Sequence, residues 1–191
     1  MKKLLFALAV LATSLTAGNK FNNSLIEEYL VKGKKEIGEK RYNNEYNLIK
    51  NDTHFSEAKS IEKGAKHSKT VGGKSFNMPD YEKIISELYN SGKASGSTLP
   101  YYVAIEISQH LWIMRNELMN KKYLKEISAL LYRYKYCRGY LHHGQFLWDD
   151  DRKEQSLEVL KTGMSNCKEP YMLTTIKRAY YKYRYLNKSK K

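Results

Sequence analysis

Proline is rare in this chain and occurs only at Pro79, Pro100 and Pro170. All three fall at what read as helix starts, where the missing backbone N–H costs nothing. Cysteine is rarer still, with Cys137 and Cys167 alone and no CxxC pair, which argues against a thioredoxin-like redox role. No stretch beyond residue 12 approaches the ~20 apolar residues of a membrane-spanning helix. HExxH, GxSxG and dinucleotide-binding glycine patterns are missing, and so is a convincing strand pair or hairpin signal. The near-match Gly72-Gly73-Lys74-Ser75 lacks the Gly that a phosphate-binding loop needs where Ser68 stands, and no strand pattern leads into it. These absences remove the motif-bearing enzyme classes, so no catalytic, metal-ligating or cofactor-binding residue is assigned and the chain reads as a non-enzyme. A small exported hydrolase whose carboxylates meet only in space stays as an alternative. Glu106 and Glu117 flank the most apolar helix as candidate acids for such a hydrolase, and solvent exposure explains them as well.

What is present begins with an export pattern. Lys2 and Lys3 precede the apolar run Leu4 to Ala12, and the small residues Thr13, Ser14, Thr16, Ala17 and Gly18 follow. That order is a secretory signal, with cleavage expected after Ala17, and the expected address is a bacterial periplasm or the exterior. An apolar content of 41% argues against wholesale disorder.

The formal charge is +14, unevenly spread. Residues 121–191 hold 17 Lys and Arg against 7 Asp and Glu, whereas residues 18–120 hold 15 against 13. A basic C-terminal half favours anionic partners. The excess of Lys over Arg, 27 to 7, is also what an AT-rich coding bias produces, so the charge has two readings.

Periodicity predicts helices throughout. Ser24 and Glu27 form a capping box ahead of Leu25, Ile26, Tyr29 and Leu30, and a weaker helix is expected over 38–50. Residues 51–78 are poor in large apolar groups. Tyr81, Ile84, Ile85 and Leu88 mark a helix after an Asp80 cap. Pro100 opens the most apolar segment, where Ala104, Ile107, Leu111, Met114 and Leu118 recur at helical spacing, and this helix is expected to be buried on most sides. Lys122 to about Trp148 reads as a further helix, although Tyr132 to Tyr136 alternates at period two. Asp151 and Glu154 read as another capping box, and Pro170 starts the last helix. His142 and His143 are adjacent, so their side chains diverge by about 100° and do not share a ligating face. His110 reads as a core or boundary residue.

An exported chain meets an oxidising compartment, so Cys137 and Cys167 read as a disulfide, with two unpaired thiols as the alternative. A helix from Cys137 to Trp148 that turns at Asp149 to Asp151 and runs back to Ser165 returns both cysteines to one end. Each leg is about 18–20 Å long. In this segment Tyr140 and Gly144 place a large and then a small residue on the first helix, and Ser156, Leu160 and Gly163 place small, large, small on the second. With Pro170 near its end, the unit 137–170 resembles a tetratricopeptide or Sel1-like helical hairpin. The resemblance implies protein or peptide binding on a helical scaffold, without chemistry of its own.

The expected architecture is all-α, a helical-hairpin bundle with one stapled hairpin. Residues 1–17 are the signal, 18–62 a looser helical N-terminal arm, 63–79 a Lys/Gly/Ser-rich linker, 80–187 the helical domain and 188–191 a basic tail. The domain from residue 80 onward is expected to fold without the rest. The expected function is binding of a protein partner in the cell envelope through a helical surface. The second reading is polyanion binding, to anionic lipid, polysaccharide or nucleic acid, through the last helix. There Lys177, Arg178, Lys182, Arg184 and Lys188 supply phosphate attraction, and Tyr181 and Tyr185 supply aromatic faces. Residues 171–191 contain no acid. The bland reading of the same segment is an amphipathic helix with its tyrosines in the core and its lysines in water.

Overall fold

The computed structural model describes residues 24–64, 66–71, 74–110 and 121–188. Within these residues the chain is all-α apart from one short ribbon, with nine helices packed as sequential hairpins. They are α1 (Leu25–Ile37), α2 (Glu39–Ile49), α3 (Thr53–Lys63), α4 (Tyr81–Ser95), α5 (Leu99–His110), α6 (Lys121–Arg133), α7 (Cys137–Asp149), α8 (Lys153–Asn166) and α9 (Pro170–Lys188). Strands β1 (His67–Val71) and β2 (Lys74–Met78) pair antiparallel between α3 and α4, with His67 opposite Met78 and Val71 opposite Lys74. Leu111, Met114, Leu118, Trp112 and Glu117 lie outside the described residues, as do residues 1–17.

The ribbon lies in the segment expected as a linker. In sequence its strands are separated by Gly72-Gly73, a pair favoured in two-residue hairpin connections. A strand therefore does precede Lys74 and Ser75, but both sit on a second strand rather than at a helix N-terminus. Helix α3 also lies where apolar groups are sparse. Asp52 starts it by accepting the Phe55 N–H at 2.8 Å, and Phe55 and Ala58 are enough to anchor it in the core.

The apolar groups form two clusters. The first runs from Leu25 to Tyr136 and takes residues from α1 to α6, with Ile26, Ile49, Ala58, Ile84, Leu88 and Ile107 fully buried. The helices expected as an N-terminal arm contribute to it directly. Helix α5 was expected to be buried on most sides and is buried over every residue from Leu99 to Ser108, Glu106 included. The second cluster belongs to α7, α8 and α9 and centres on Tyr140, Leu160, Met172 and Ile176.

Three helix ends differ from expectation for local reasons. Ser24 does accept the Glu27 N–H, at 3.2 Å, but the remaining N–H groups of Leu25 and Ile26 are taken by Glu62, at 2.7 and 3.2 Å. Glu27 instead pairs with Lys59. The helix expected over 122–148 is broken after Arg133. Lys135 adopts φ 61° and the Tyr136 N–H returns to the Leu131 carbonyl, a closing turn that starts a new helix at Cys137. Asp151 is not an N-cap. It takes φ 61° and ends α7 in the same manner, with the Arg152 N–H bonded to the Leu147 carbonyl at 2.9 Å.

Candidate functional site

The hairpin of α7 and α8 shows why its small and large residues are spaced as they are. A Cβ on Gly144 would come within 2.7 Å of Leu160 Cγ, and one on Gly163 within 2.6 Å of Tyr140 Cβ. Each glycine thus receives a large side chain from the other helix. The Ser156 hydroxyl donates to the Gly144 carbonyl at 2.7 Å across the same contact. The Cys137–Cys167 disulfide closes the open end of the hairpin, with its Cα atoms 5.2 Å apart.

Beside that staple lies an open cleft of about 590 Å3, bounded by α1, α5, the start of α7 and the α8–α9 connection. Tyr102, Cys137 and Met172, all buried, form its floor. Lys32, Lys35, Lys135 and Lys168 stand around it. Arg138 enters it from α7 and forms a two-pronged pair with Glu106, through Nε to Oε1 and through Nη2 to Oε2 at 3.1 Å. Glu106 is only 3% exposed, which corrects the expectation of a solvated side chain. Helical period alone did not reveal this, because the partner that justifies burial is 32 residues away. Burial pushes the Glu106 carboxyl up, while Arg138 pulls it back down.

Glu36 is the second carboxylate here. It accepts the Cys137 N–H at 2.6 Å and the Tyr102 hydroxyl, so it caps α7 from a helix far away in sequence. Burial raises its carboxyl from the ordinary 4.5 to about 7, with Glu106 adding to the rise and the Cys137 N–H and Arg138 opposing it. It can therefore hold or release a proton near neutral pH. Tyr102, beside both glutamates, is pushed up by the same burial. Glu169 closes the cleft's far side by accepting the N–H groups of Tyr171 and Met172 at the start of α9.

No family model, no curated protein and no solved structure matches this chain.

The remaining candidates fall elsewhere. Lys177, Arg178, Lys182, Arg184 and Lys188 lie on α9, away from the cleft, with Tyr181 59% and Tyr185 73% exposed among them. His110 Nδ1 is 3.0 Å from the Tyr29 hydroxyl at the end of α5. His142 is buried with Nδ1 3.0 Å from Gln145 Oε1, whereas His143 stacks on Tyr132 and is held below its usual pKa by burial. Among the described residues no group of three or more His, Cys, Asp or Glu side chains is placed to hold a metal ion, and no helix is long and apolar enough to cross a membrane. The cleft itself was not anticipated from sequence. Its residues come from four separate segments, and the single local sign was the Cys137 position at a helix start.

Proposed function

We propose that this chain is an exported, non-enzymatic binding protein that engages a segment of a protein partner in the cleft beside the disulfide. The observation that carries the reading is the cleft's make-up. An apolar floor of Tyr102, Met172 and Cys137 lies under four lysines and Arg138, against the carboxylates Glu36, Glu106 and Glu169. Glu106 is neutralised by Arg138, Glu169 is engaged in capping α9, and Glu36 is partly protonated near neutral pH. The rim therefore presents net positive charge above an apolar base, which suits an acidic peptide segment bearing one apolar side chain. The interlocked α7–α8 hairpin is the kind of unit that tetratricopeptide-like scaffolds use for such binding, and the resemblance at residues 137–170 supports it.

The test is site-specific photocrosslinking in the native envelope fraction, with the crosslinker at Lys168 in the cleft or at Leu48 on a distant exposed surface. A discrete protein adduct is expected from position 168 and not from 48. It should disappear when Lys35→Glu and Lys135→Glu are combined. Equal adducts from both positions, or an adduct indifferent to charge reversal, would overturn the assignment.

A further inference from the structure

Helix α9 has two tyrosine faces. Tyr180 and Tyr183 pack inward with Met172 and Ile176, and Tyr183 stacks flat on Trp148 with ring centres 4.3 Å apart. Tyr171, Tyr181 and Tyr185 point the other way and are 70%, 59% and 73% exposed. The bland expectation of core tyrosines and solvated lysines thus accounts for only one face. On the outer face, Thr174, Arg178, Tyr181, Tyr185 and Lys188 follow one another at spacings of four and three, a single line along the helix. Lys177 and Arg184 flank that line on one side, and Tyr171 and Lys182 on the other. Every charged residue of α9 is cationic.

We propose that this outer face of α9 seats flat on an anionic lipid surface. The inference does not rest on the reading of the cleft, although Tyr171 at the start of α9 also lines it. A helix of 19 residues, about 28 Å long, offers a convex rod to its partner. Such a rod matches the plane of a bilayer better than it encloses a single nucleic-acid strand, which needs a groove with stacking platforms. Exposed tyrosine rings suit headgroup depth, because each has an apolar body and a hydroxyl that stays hydrated. The line carries no Leu, Phe or Trp, so seating is shallow and depends on the cations finding lipid phosphates. Charge without the exposed tyrosines would be an ordinary solvated helix face. The two together, on one side and without an acid, form a complementary surface.

The experiment is vesicle flotation with the chain from Gly18 onward, which keeps every described residue. Vesicles of phosphatidylcholine alone are compared with a mixture containing phosphatidylglycerol, at low and at high salt. Binding to the anionic mixture is expected to exceed binding to the neutral vesicles by about tenfold at low salt and to fall steeply as salt screens it. Combined Tyr171→Ser, Tyr181→Ser and Tyr185→Ser should weaken anionic binding by about tenfold with an unchanged thermal melt. The exposed control pair Val31→Ser and Leu48→Ser should leave it unaltered. In a Tyr181→Trp variant, fluorescence should be quenched by lipids brominated near the headgroup. Equal binding to neutral and anionic vesicles would overturn the proposal. So would a triple tyrosine variant that binds as the parent does, or displacement from vesicles by a single-stranded oligonucleotide at matched phosphate without lipid quenching.

Discussion

Among the described residues, helices α1 to α6 share one broad apolar cluster, whereas α7 to α9 share a narrow one of seven buried residues. The first is filled by side chains from six helices, and α5 within it is covered on all sides. The second adds a disulfide, two glycine-mediated close contacts and the stacking of Trp148 on Tyr183. A small core removes too little apolar surface from water to offset chain entropy comfortably, so the covalent staple is found where the core is thin, whereas close glycine contacts occur in both parts, Gly92 receiving the Tyr101 ring in the first. The two parts are joined by the packing of α6 on α7, where Gly139 lies against the Leu131 backbone, and by polar groups. Glu36 of α1 caps α7, and Glu106 of α5 pairs with Arg138 of α7. Two further acidic side chains are drawn inward in this way, Glu45 and Glu62, which cap α5 and α1. That withdrawal adds to the basic character of the outer surface.

Removing one part has the largest expected effect. A fragment of residues 80–191 leaves the inner faces of α4 and α5 without α1 and α3 against them, exposing Ile84, Leu88 and Ile105. It is expected to lose its cooperative thermal transition and bind a hydrophobic dye. A sharp transition like that of the longer chain would show that the C-terminal part folds alone. Next in size is Arg138→Ala, which strands the buried Glu106 carboxylate. A loss of about 3–5 kcal/mol is expected in urea unfolding, and the double variant Arg138→Ala with Glu106→Gln should recover much of it. Replacing both Cys137 and Cys167 with Ser should cost about 2–4 kcal/mol. Amide exchange would report where, with α8 and α9 losing protection before α4 and α5. Uniform loss across both parts would argue that they form a single cooperative unit.

A smaller effect concerns pH. The Glu36 carboxyl is raised from 4.5 to about 7 in the folded chain. Folding therefore favours its protonated form. That stabilisation is complete below about 4.5 and is lost as pH rises through about 7, so the chain should be less stable at alkaline than at mildly acidic pH. The difference is on the order of 2–3 kcal/mol. Glu36→Gln should flatten the dependence between those limits while Glu106 stays in both proteins. An unchanged slope in the variant would remove Glu36 as the source.

Much of the architecture was legible because helical period and caps are local. Asp80 accepts the Lys83 N–H as expected, Pro170 opens α9, and the cysteine spacing matched one hairpin length. Helix boundaries near Lys135 and Asp151 were misplaced because neither is glycine, yet both take a left-handed turn that closing hydrogen bonds hold in place. The ribbon was missed because its strands are short and polar, leaving Gly72-Gly73 as the sole sign.

Local chemistry was sufficient for the helical class, the stapled hairpin and the basic last helix, since each depends on residues within one or two turns or on one pair of cysteines. The cleft, the burial of Glu106, the shifted acidity of Glu36 and the division of the α9 tyrosines between two faces depended on how distant helices came together. Burial and electrostatic environment are properties of neighbours in space, and in this chain those neighbours lie up to 101 residues apart.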